Sequence, residues 1–228
     1  MPTAKERLSH LLELAAQGAG ERGALAGEVA DLLLDWPEQY PQAMRATFVA
    51  LLEKIVREMA GPSAAVLAAR FRDRDDFPLS LLNEFFLYAP GPMKDAILAR
   101  NDALEPAARA HVDADALLSA ARAAHDFAGS VAGIAGLPDA VAGGLLTDPT
   151  SKGLATLARG TGINRATFSA MAILAGPART VHENFAALAV YDAIPENGAR
   201  QLVAFWRARQ DAPTSSSSGG DTPVVRAA

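Results

Sequence analysis

Cysteine is absent from this chain of 228 residues. Its absence excludes disulfides, thiolate catalysis and cysteine-ligated zinc or iron–sulfur centres, and it suits a reducing cytoplasm. Aromatic residues are scarce at 6%. Alanine dominates the apolar set instead, which favours closely packed helices over sheets, because strands need β-branched and aromatic side chains. Long apolar runs are missing too. The longest uncharged stretches, such as Ala166–Ala178, fall short of the roughly 18–20 residues a membrane span needs and read as buried helices. The opening Met1-Pro-Thr-Ala-Lys-Glu-Arg7 carries acidic charge and no apolar h-region follows it. A soluble, cytoplasmic protein without a signal peptide is therefore expected.

The sequence offers punctuation in place of these features. Pro41, Pro62, Pro78, Pro92, Pro106, Pro138, Pro149 and Pro195 each precede an apolar stripe at helical spacing. Proline lacks an N–H, which is harmless in the first helical turn but costs about 3 kcal/mol in a helix interior. The pattern predicts helices over Ala4–Gln17, Arg22–Leu34, Pro41 to about Ala60, Ser63–Phe71, Pro78–Tyr88 and Pro92–Arg100. Asp113 caps the next. Past His125 the text turns glycine-rich (Gly129, Gly133, Gly136) and becomes helical again from Pro138. Asp148-Pro149 and Asn164 open two more, and Val181–Ile194 and Pro195–Arg209 close the series.

The fold class expected is all-α: stacked short antiparallel helix pairs, either a HEAT-like α-solenoid or an irregular helical bundle. It forms a single domain over residues 4–210, followed by a Ser/Gly-rich tail, 211–228, that has no apolar face to bury and should be disordered. Phe48, Leu52, Ile55, Phe85, Leu118, Phe168, Leu188 and Trp206 are the candidate core.

Charge is uneven. Residues 1–150 hold 13 Lys/Arg against 21 Asp/Glu, and residues 151–210 hold 7 against 3, within a net charge of −5. A mildly basic C-terminal layer thus follows an acidic body, and Arg200, Arg207 and Arg209 on the final helix are the candidate binding residues for a protein partner. The basic stripe is too sparse for nucleic acid.

Motifs for chemistry are thin. Gly18-Ala-Gly20-Glu-Arg-Gly23 has the letters of a dinucleotide fingerprint, but a helix precedes it where a strand is required, so it reads as a helix–helix turn. His10, His111, His125 and His182 fall into no metal-binding spacing, no Gly-x-Ser-x-Gly elbow occurs, and the turn Arg72–Asp76 reads as a solvated charged loop. Neither a cofactor nor a metal is expected. The window Ala124-His125-Asp126-Phe127-Ala128-Gly129-Ser130 resembles the phosphoacceptor helix of histidine phosphotransfer domains. That resemblance implies an exposed His125 as phosphoacceptor, with Ala128 in place of the lysine that would neutralise the phosphate.

A broader resemblance runs over about residues 5–210. Leu25–Leu34, Ser80–Glu84, Ala96–Arg100, Ala187–Pro195 and Leu202–Arg207 resemble the helices of a bacterial HEAT-like helical-repeat family of unknown function, the DUF 2336 group. It implies a helical-repeat fold with no assigned catalytic residues. The functional expectation is a non-enzymatic, cytoplasmic protein–protein interaction or regulatory scaffold, and the alternative is a phosphotransfer-like or degenerate signalling module using His125.

Overall fold

Most of the short helices begin at a proline or a capping side chain. The computed structural model describes residues 22–59, 61–74, 76–123, 126–175 and 180–209. Among these residues there are twelve helices and no strand. They are α1 (Arg22–Leu34), α2 (Gln42–Glu58), α3 (Gly61–Arg70), α4 (Leu79–Phe85), α5 (Gly91–Asp102) and α6 (Ala114–Ala123). The second half has α7 (Phe127–Ala135), α8 (Asp139–Thr147), α9 (Lys152–Thr161), α10 (Arg165–Ala175), α11 (Val181–Ala193) and α12 (Glu196–Ala208). The expected helix at Ala4–Gln17 and the expected disordered tail lie outside the described residues.

Pro41, Pro78, Pro138 and Pro195 each occupy the N-cap of the helix they were expected to open. Asp113 accepts backbone N–H bonds from Asp115 and Ala116, and Asn164 accepts one from Thr167 at 2.9 Å. Two local expectations need correction. Pro106 opens no helix: residues 103–113 form an irregular connection. There Asn197 of α12 donates to the carbonyls of Asp102 and Leu104 and accepts from the Ala107 N–H. These side-chain bonds hold the segment in place of a helical ladder. Conversely, the glycine-rich stretch after His125 does form a helix, α7. The Asp126 carboxylate accepts the Gly129 N–H at 3.1 Å, and Gly136 ends the helix with a left-handed φ of 63°. Both ends are capped, which offsets a glycine cost of about 1 kcal/mol each in the interior.

From α1 to α5 each helix packs on its next or next-but-one neighbour, a solenoid-like stack. The second half is a bundle. Helices α8, α10, α11 and α12 all pack against α9, and α6 returns to α10. Accordingly α9 is buried nearly all round, with Leu154, Ala155, Leu157, Ala158 and Gly160 all inside. Helix α12 joins the halves by packing on both α5 and α9.

Two glycines permit that junction. A Cβ on Gly160 would lie 2.7 Å from the Ala199 carbonyl oxygen and 2.8 Å from Val203 Cγ2. One on Gly198 would lie 2.5 Å from the Leu98 carbonyl oxygen. Backbone cannot yield as a flexible side chain can. Gly160→Ala is thus expected to destabilise the fold by about 1–3 kcal/mol despite alanine's better helix propensity, read as a lower urea midpoint. An unchanged midpoint would show that α12 can shift.

Of the candidate core, Leu52, Ile55, Phe85, Phe168 and Trp206 are buried, and Phe71 stacks on Phe85 with ring centroids 5.2 Å apart. Phe48, Leu118 and Leu188 are half-buried and pack on the edge of the core, Phe48 against Trp36. Among the described residues no helix is long and apolar enough to cross a membrane.

Candidate functional site

Helix α5 presents Asp95, Leu98, Ala99 and Asp102 along one side, as the i, i+3, i+4, i+7 spacing of a helix requires. Facing it, α11 presents Ala189, Val190 and Ala193 and then ends. Ile194 is extended at ψ 124° because Pro195 follows, and a residue before proline is pushed out of the helical region. The small alanines leave a groove of about 720 Å³ between the two helices, closed at one end by Lys152 of α9. Leu98 and Ile194 are its buried apolar part.

The polar groups sit at the ends. Lys152 Nζ donates to the Gly91 carbonyl at 3.1 Å and pairs with Asp95. Asp102 Oδ1 accepts the Gly198 N–H at 3.0 Å. The groove thus has an apolar floor and two carboxylates against one ammonium, a lining suited to holding a ligand by burial and charge. Phe185, one turn before Ala189 on α11, is 66% exposed and extends the apolar surface.

A buried ion pair fixes the walls. Lys94 Nζ of α5 lies 2.7 Å from Asp148 Oδ2, and the two side chains are 2% and 0% exposed. Asp148 also accepts the Gly153 N–H at 2.8 Å, the Thr150 hydroxyl at 2.7 Å and the Thr150 N–H at 3.0 Å. It therefore caps α9 while anchoring α5. Burial by itself would raise the Asp148 carboxyl, but the Lys94 charge and these hydrogen bonds hold it below the ordinary aspartate value. Beside it, Asn83 and Asn101 exchange amide hydrogen bonds of 3.3 and 2.8 Å and tie α4 to α5.

The three arginines expected to form a partner surface have partners within the fold. Arg200 pairs with Glu196 one turn away. Arg207 donates to the carbonyls of Ala135 at 2.7 Å and His111 at 3.1 Å, closing the C-terminal end of α7. Arg209 pairs at 3.1 Å with Glu84, whose other oxygen accepts from Arg57 at 2.6 Å. Burial raises the Glu84 carboxyl above the usual glutamate value despite both guanidiniums. Arg207 and Arg209 thus tie the end of α12 to other elements, while Arg200 pairs within α12 itself; the α5–α11 groove is a second candidate binding surface.

His125, the alternative phosphoacceptor, lies outside the described residues, as do His10 and the side chain of His182. His111 is exposed. Gly129 has a local explanation: a Cβ there would collide with the Asp126 carboxylate that caps α7. Among the described residues no three acidic or histidine side chains gather as a metal would require. Sequence reasoning missed Asp95, Asp102 and Lys152 as site residues. The available signal was the run of alanines at 186, 189 and 193 on a helix otherwise expected to bury one face.

Comparison with known proteins finds no matching family model, no matching curated protein and no matching solved structure.

Proposed function

We propose that this protein is a non-enzymatic scaffold that works in the cytoplasm and takes a helix of a protein partner into the α5–α11 groove. One observation carries the reading: an open groove of about 720 Å³ whose wall is alanine and whose floor is apolar. An α-helix with its side chains is about 10–12 Å wide and recognises such a groove through apolar anchors at i, i+3, i+4 and i+7. Phe185 at the lip supplies the aromatic contact common in binding hot spots.

The test places a photo-crosslinking side chain at Ala189 and, separately, at Glu28 on α1 as a surface control, in protein expressed in its native host. Ala189 should crosslink a defined protein that the control position does not, and Ala193→Glu should abolish the adduct at unchanged thermal stability. An adduct equally strong from both positions, or one insensitive to Ala193→Glu, would overturn the reading.

A further inference from the structure

A second cavity, of about 270 Å³, opens between the end of α3, α4 and α5, and three guanidiniums line it: Arg72, Arg74 and Arg100. Its deeper wall is apolar, with Phe71, Met93 and Ile97 all buried. The arginines are not equivalent. Arg74 is held by Asp76 through Nε at 2.8 Å and Nη2 at 3.0 Å, and its Nη1 donates to the Leu34 carbonyl at 3.2 Å. Arg100 Nη2 donates to the Phe77 carbonyl at 3.0 Å, but Arg100 Nη1 is buried and has no hydrogen-bond partner among the described residues.

An unpartnered buried donor on a charged group is costly, so its persistence needs a reason. Arginine stays protonated at any ordinary pH, so the missing partner has to be an acceptor. Among the described residues, the charged side chains that line the cavity are Asp73 and three arginines, of which Arg74 is already paired with Asp76. The guanidinium fork matches the paired oxygens of a carboxylate or phosphate. Below the cations the wall can take only carbon. We infer that this cavity binds a small organic anion, its oxyanion head on Arg100 and Arg72 and a short aliphatic body against Phe71, Met93 and Ile97. The cavity lies just under the 300–1,000 Å³ usual for ligand pockets, which sets the body at a short chain.

The site is separate from the α5–α11 groove, so it can be tested whatever the groove holds. Four probes are titrated by calorimetry into the full chain: hexanoate, hexyl phosphate, inorganic phosphate and hexanamide. Hexanoate or hexyl phosphate should bind at least tenfold more tightly than inorganic phosphate, which lacks the body, and than hexanamide, which lacks the charge. Which of the two binds more tightly identifies the head group. Arg100→Gln should weaken binding at least tenfold. Because Arg100 also bonds the Phe77 carbonyl, a second variant guards against misfolding: Ala96→Leu, at an exposed position of α5 that lines the cavity, should block binding by filling it and leave the melting temperature in place. If neither anion binds at about 10 mM, if inorganic phosphate or hexanamide binds as tightly as the better anion, or if either variant binds like the parent, the inference fails.

Discussion

Trp206→Ala is expected to cost about 3–5 kcal/mol, at the upper end for truncating a core side chain. Trp206 is fully buried on α12 and its ring packs on Phe86 at 5.7 Å. Removing it leaves a cavity where the two halves of the molecule meet, and neither α5 nor α9 can close on it without pulling away from the other. Typical stabilities are about 5–15 kcal/mol, so the variant should be marginally folded at room temperature. The indole Nε1 is buried with no hydrogen-bond partner among the described residues. Trp206→Phe therefore gives up packing but no hydrogen bond, and should cost clearly less than the alanine variant. Urea unfolding of both proteins checks the order; equal losses would mean the indole nitrogen has a partner after all.

The second large effect concerns Lys94 and Asp148. Removing one member of a fully buried ion pair strands the other charge, at a cost of about 3–5 kcal/mol, whereas replacing both with neutral groups of similar shape is often harmless. Lys94→Met alone should thus be severely destabilising. Lys94→Met combined with Asp148→Asn should recover part of the loss: the single asparagine oxygen can keep either the Thr150 bonds made by Oδ1 or the Gly153 N–H bond made by Oδ2, but no buried charge is left stranded. Acid titration separates the electrostatic part. The folded Asp148 carboxyl lies below its unfolded value of about 3.9, so its contribution is complete above that value and is lost as pH falls through the lower, folded one. The parent should lose stability over that acid window, and the double variant should show a shallower fall. A double variant no better than Lys94→Met would show that packing, and not charge, decides the site.

Much of the helical framework was legible in the sequence because its determinants are local. Pro41, Pro78 and Pro195 fix φ for a first turn wherever they occur, and Asp113 and Asn164 carry their own acceptors to the backbone they cap. The failures share one cause, that distant residues overrode local signals. Residues 103–113 follow the side chain of Asn197, so Pro106 could not reveal their shape. Gly129 looked like half of a phosphotransfer motif, yet its place is set by the cap that Asp126 makes. The site was less legible. Lys94 and Asp148 look like two ordinary surface charges until α5 and α9 are brought together. Arg207 and Arg209 read as free cations for the same reason: a carbonyl acceptor on Ala135 or a buried Glu84 leaves no mark near them in the chain.

Helix α12 also governs the order of events in folding. The bonds that fasten it to α5 and the following segment join residues 90 to 96 positions apart. A solenoid grows by adding one repeat to the last, each step closing a short loop. Here α5 cannot complete its packing until a helix from the far end of the sequence has arrived, and the entropy of closing that loop must be met before any contact across it forms. The flank of α5 that meets Gly198, at Leu98 and Asp102, therefore waits uncovered in every chain that has not yet supplied α12. Closure of this long-range seam, and not formation of the fast local helices in each half, is therefore expected to be the slow step of folding.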